Sequence, residues 1–195
     1  MKALFEKIIK FIPEYFSNLI SLLTGPKSFL AAKVAHQENE MRDALIFLGI
    51  SAVLCVILTS PITNVGESIV TFTILLCTVS VIMLALLFVP LFASWKIIGG
   101  TAPLSKLALI FVYENSVIVL LVPILFILFW PNFSFLFLVL GIITFLWRIV
   151  IWGAYRKISA VSKGRSIAAF IINIILSAGV NYLSTIVGWK LGWLI

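Results

Sequence analysis

Glu114, Asn115 and Arg148 are the residues whose chemistry is out of place. They interrupt apolar runs at 107–130 and 133–155, where most neighbours are Leu, Ile, Val or Phe. A charged side chain at the centre of a membrane helix costs roughly 2.5–3.5 kcal/mol on insertion scales. Such a group persists where something answers its charge, so each of these implies a partner. Counting from flanking basic residues supplies one. Glu114 lies eight residues beyond Lys106, Arg148 eight before Arg156, and Asn173 eight beyond Arg165. At a rise of 1.5 Å per residue, all three sit about 12 Å below the same boundary. The depth match predicts a Glu114–Arg148 ion pair. Asn115 or Asn173 would fill the remaining hydrogen-bond positions, with Tyr113 beside them. The competing reading has Arg148 snorkelling to headgroups and Glu114 protonated. An internal pair either fixes which helices are neighbours or lines a polar cavity that admits a solute, proton or lipid headgroup.

Other reactive constellations are sparse. One histidine, His36, excludes the HExxH spacing of metalloproteases. No GxSxG elbow, phosphate-binding loop or GxGxxG is present. Gly99-Gly100 reads as a turn, because no Gly-Lys-Ser/Thr follows to open a phosphate-binding helix. Cys55 and Cys77 fall inside apolar runs and read as small hydrophobes. His36, Glu38, Glu40 and Asp43 carry metal-ligating atoms, but a solvated helix face with a Glu38–Arg42 pair at i,i+4 explains them better. The expectation is no enzyme, no cofactor and no metal. Glu38, Glu40, Arg42 and Asp43 form a candidate face for a protein partner.

The elements that hold these residues follow from composition. Of 195 residues, 63% are hydrophobic and 11% charged, and mean hydropathy is +1.23. Soluble domains average about 45–50% apolar and about 25% charged. A chain this apolar has the bilayer as its solvent. Five segments are long enough to cross it: 44–62, 69–95, 107–130, 133–155 and 167–189. Pro131-Asn132 marks a hairpin turn that makes the third and fourth neighbours, expected to be the tightest pair. Ser177, Ala178 and Gly179 offer the fifth span a small-residue contact. Trp95, Trp130, Trp152, Trp189 and Trp193 fall near span ends, as an interfacial aromatic belt requires. The expected fold is an all-α polytopic membrane protein, a five-helix bundle in residues 44–195 preceded by a helical region in 1–43.

Basic residues set the orientation. With alternating sides, twelve flank one face and Lys190 alone flanks the other. The N-terminus is expected in the cytoplasm and the C-terminus on the opposite face. The net charge of +7 is then a topology signal rather than a nucleic-acid footprint. Leu4, Phe5, Ile8, Ile9 and Ile12 share one helical face, with Lys2, Lys7 and Lys10 alongside. That pattern suits an interfacial helix, or equally one packed on the end of the bundle. Residues 1–23 are expected to be a partner-capturing arm that the core folds without. A second cytoplasmic helix opens at Pro26. Arg156, Lys157, Lys163 and Arg165 lie at headgroup level and are expected to contact anionic lipid.

"GPKSFL" followed by a polar helix into "ALIFL", "GGTAPLSKLALIFVY", and "WRIVIWGAYRKISAVSKGRSIAAF" together resemble the Yip1-domain family. The likeness runs from about Leu23 to Gly188, and the compact N-terminal region is similar to that of prokaryotic members. The resemblance implies five spans, a cytoplasmic N-terminus and a non-catalytic role in membrane organisation or partner binding. A small transporter, channel or lipid-moving protein built on Glu114 and Arg148 is the alternative.

Overall fold

The structure is a computed structural model that describes residues 2–35, 40–59, 69–129 and 133–190. Those residues form seven helices: α1 (Lys2–Thr24), α2 (Pro26–Ala35), α3 (Glu40–Thr59), α4 (Ile69–Ile97), α5 (Leu104–Phe129), α6 (Phe133–Ser159) and α7 (Lys163–Lys190). Among them, α3, α5, α6 and α7 are long and apolar enough to cross a membrane. The described side chains of α4 form a shorter apolar stretch, Leu84–Ile97.

Helix boundaries sit where local chemistry places them. Pro26 opens α2, where its missing N–H costs nothing, and Gly25 accepts from the Phe29 N–H at 3.0 Å. Glu40 and Asp43 occupy the first turn of α3, where the helix dipole favours negative charge. They belong to the membrane-length helix α3 rather than to α2. Gly99-Gly100 closes α4 as a turn, as expected. The Gly99 N–H donates to Lys96 O at 3.0 Å and Gly100 N–H to Trp95 O at 2.8 Å, a Schellman cap. Gly99 has φ 80°, and a Cβ on Gly100 would lie 2.7 Å from the Trp95 carbonyl oxygen. Glycine at both positions is a steric requirement.

The chain divides into two compact units. The first comprises Met1–Val65 with Leu109–Ala154, the second Gly66–Ala108 with Tyr155–Ile195. In the first, α1 is part of the core rather than a detachable arm. Tyr15 and Leu22 are fully buried, and the Tyr15 hydroxyl donates to Ser51 Oγ on α3 at 3.0 Å, since Ser51 Oγ is itself engaged with Phe47 O. That burial counts against the expectation that the core folds without 1–23.

In the second unit, α4 runs closest along α7. This replaces the expected tightest pairing of the third and fourth spans. Small side chains are buried on both helices. Ser166 and Ala169 are buried on α7 and Ser94 on α4, and small residues let membrane helices approach. Gly179, expected to make that contact, has nothing within 4 Å of where its Cβ would be. The tryptophan belt also needs correction. Trp95 is fully buried and stacks on Tyr155 with centroids 6.3 Å apart, and Trp152 is buried too. The side chains of Trp130, Trp189 and Trp193 lie outside the described residues.

Candidate functional site

The polar group of the first unit is built on α5. Tyr113, Glu114, Asn115 and Ser116 are all buried there, and a helix cannot turn four consecutive side chains to one neighbour. Two of them solve their chemistry locally. Asn115 Nδ2 donates to Phe111 O and Ser116 Oγ to Val112 O, each at 2.8 Å. This back-bonding to the preceding turn satisfies a polar group inside an apolar helix. The Asn115 amide nitrogen is thus engaged with its own helix.

Glu114 reaches across to α6. Arg148 Nε donates to Glu114 Oε1 at 2.6 Å, and the Trp147 indole N–H donates to the Glu114 backbone carbonyl at 3.3 Å. The Glu114 side chain is 1% exposed and that of Arg148 13%. The pairing expected from depth is therefore present, formed by long side chains that bridge a gap between helices. A charge-assisted bond of this length is among the stronger hydrogen bonds a protein makes. It meets part of the desolvation cost that both ions incur. Asn173 is buried on α7, in the second unit.

Tyr113 ends an aromatic series that sequence reasoning missed. Its ring meets Phe29 of α2 edge-on at 5.2 Å and Phe47 of α3 at 5.4 Å. Phe47 in turn packs on Tyr15 of α1 at 4.6 Å. Four helices thus converge on one cluster of rings that includes the residue before Glu114. Nothing in local periodicity marks Phe29, Phe47 or Tyr15, since their partners are far away in sequence. Burial holds the Tyr15 phenol above its ordinary value, with the Ser51 hydrogen bond acting in the opposite direction.

The charged end of α3 carries the other expected residues. Lys33 Nζ lies 3.5 Å from Glu40 Oε2 and 5.7 Å from the Phe29 ring centroid. Arg42 Nε donates to Asp43 Oδ1 at 3.1 Å. Glu38 and His36 lie outside the described residues, and with them the expected Glu38–Arg42 pair. No group of three potential metal ligands occurs among the described residues. Cys55 is a buried free thiol, and the Cys77 side chain lies outside the described residues.

Arg156, Lys157, Lys163 and Arg165 are all exposed around the α6–α7 turn. On the same unit, Lys96 Nζ donates to the Ala102 carbonyl at 2.9 Å and caps the loop after α4. Thr101 N–H donates to Ser159 O at 3.2 Å, tying that loop to the end of α6.

No family model, curated protein or solved structure matches this chain.

Proposed function

We propose that this is a non-catalytic integral membrane protein of Yip1 type, a scaffold that organises membrane or binds partners. In this reading α4 supplies a fifth span, and the chain resides in a prokaryotic cytoplasmic membrane with its N-terminus in the cytoplasm. Its protein-binding face is the charged start of α3 with Glu38, and its basic turn Arg156–Arg165 meets anionic headgroups.

The observation that carries the reading is the closed state of the Glu114–Arg148 pair. A carboxylate 1% exposed and bonded at 2.6 Å is a joint between helices. A transport pathway needs a polar site that solute or water can reach, with ionisable groups continuing beyond it. The two bonds from α6 to Glu114, from Arg148 to its carboxylate and from Trp147 to its carbonyl, favour a closed joint over such a passage.

Reconstitution of the purified chain into liposomes, assayed for ion and lipid flux, tests this. The scaffold reading expects flux no greater than protein-free vesicles. Flux that disappears in Glu114→Gln overturns it in favour of a transporter.

A further inference from the structure

The outer surface of α1 divides into three sectors. Tyr15 and Leu22 face the core and are fully buried. Ile12, Phe16, Ile20 and Leu23 are between 41% and 61% exposed. At 3.6 residues per turn, these four fall within about 80° of one another, next to the buried sector. Glu14, Ser17, Ser21 and Thr24 are also exposed, and form a third sector centred about 120° around the helix from the exposed apolar four. A helix packed on a protein in water has two faces, core and solvent. Three sectors in this order are those of a helix lying where protein, acyl chains and water meet.

Depth along α3 says what covers the apolar sector. The Tyr15 ring packs on Phe47, and its hydroxyl reaches Ser51. Those residues lie four and eight positions beyond Asp43, the last charged residue of α3. At 1.5 Å per residue that is about 6 and 12 Å inside the last charge. Interfacial helices bury their apolar face about 5–10 Å into the headgroup and acyl boundary. Leu45 and Val53 of α3 are exposed on either side of this level, and on a spanning helix such residues face lipid. The geometry points to α1 as a membrane-embedded helix lying in the interface, with Ile12, Phe16, Ile20 and Leu23 as a binding surface for lipid acyl chains. This rests on α3 spanning a membrane and is independent of the scaffold reading. Through Tyr15, Phe47 and Tyr113, the same helix connects that lipid surface to α5.

The test uses the full chain with Cys55→Ala and Cys77→Ala, reconstituted in phosphatidylethanolamine and phosphatidylglycerol vesicles. Nitroxide labels are placed singly at Phe16→Cys, Ile20→Cys, Ser21→Cys and, on α3, Val53→Cys. Collisions with oxygen report lipid, and collisions with a water-soluble nickel chelate report water. The inference expects oxygen to dominate at 16, 20 and 53 and nickel at 21. Nickel dominating at 16 and 20 while 53 reports lipid overturns the inference and leaves the membrane reading intact. Nickel dominating at 53 as well overturns both. Dipolar broadening between labels at 16 assigns the surface to a second copy of the chain, and also overturns it.

Discussion

Two ion pairs in the first unit use the same chemistry under opposite conditions. Arg42 and Asp43 are adjacent in sequence, and the Arg42 side chain is 63% exposed. Arg148 and Glu114 are 34 residues apart and almost closed to solvent. For the rim pair, water competes for both ions and removing either costs little. For the inner pair no water stands ready, so loss of one partner strands the other. The value of a charge pair here is set by what replaces the missing partner, not by its distance.

The largest effect should come from breaking the inner pair on one side. Glu114→Gln removes the counter-charge of Arg148 and is expected to cost about 3–5 kcal/mol. Denaturant titration of the detergent-solubilised protein reads this. Adding Arg148→Gln should cost less than the two single losses together, and strict additivity would mean the two residues are not coupled.

A neutral contact provides the intermediate case. Gly100→Ala pushes a methyl against the Trp95 carbonyl oxygen, which is backbone and cannot swing away. A loss of about 1–3 kcal/mol is expected by the same titration. If it equals the Glu114→Gln loss, the ion pair is no more than an ordinary packing feature.

Tyr15→Phe probes a buried hydrogen bond without formal charge. Ser51 Oγ keeps its bond to Phe47 O, so the expected loss is modest, about 0.5–1.5 kcal/mol. The phenol also has a pH signature. Its folded-state pKa is raised above the ordinary 10.0, so burial favours the neutral form. That contribution is complete below pH 10 and is lost as pH rises through the folded value. Tyr15→Phe should flatten the alkaline fall in stability, and an unchanged alkaline limb would show that the phenol does not titrate with unfolding.

The smallest effect is expected at the rim. Arg42→Gln should change stability by less than about 1 kcal/mol. Any change should shrink further as salt is raised, because exposed charges are screened over about 8–10 Å at physiological ionic strength. A loss comparable to that of Glu114→Gln would erase the distinction between the two pairs.

Composition and local spacing were enough for several features. An all-helical chain with membrane-length apolar segments follows from solvent preference, which is a property of residue types rather than of arrangement. The turn at Gly99-Gly100 was legible because a Schellman cap is made within six residues of chain. The Glu114–Arg148 pair was legible for a different reason. A bilayer gives each residue of a span a depth coordinate, and a hairpin turn makes two spans neighbours, so one dimension of a tertiary contact can be counted off.

The remaining two dimensions cannot be counted, and there the tertiary structure decided. Trp95 stands near the end of an apolar run, where belt tryptophans belong, yet rotation of α4 about its axis turns it inward onto Tyr155. The stretch Ser177–Gly179 has the composition of a close helix contact, but only Ser177, with its Oγ buried, continues the α7 stripe of Ser166, Ala169 and Asn173, while Ala178 and Gly179 are exposed. Azimuth is invisible in helices apolar on nearly every side, because their patterning does not distinguish a lipid face from a protein face. α1 is the opposite case. Its polar side was readable from the sequence, but burial of Tyr15 and Leu22 depends on Phe47 and Ser51 of another helix. The residues determine which solvent each segment tolerates. Only the packed chain determines which side of a segment meets protein, because that choice is made by partners distant in sequence.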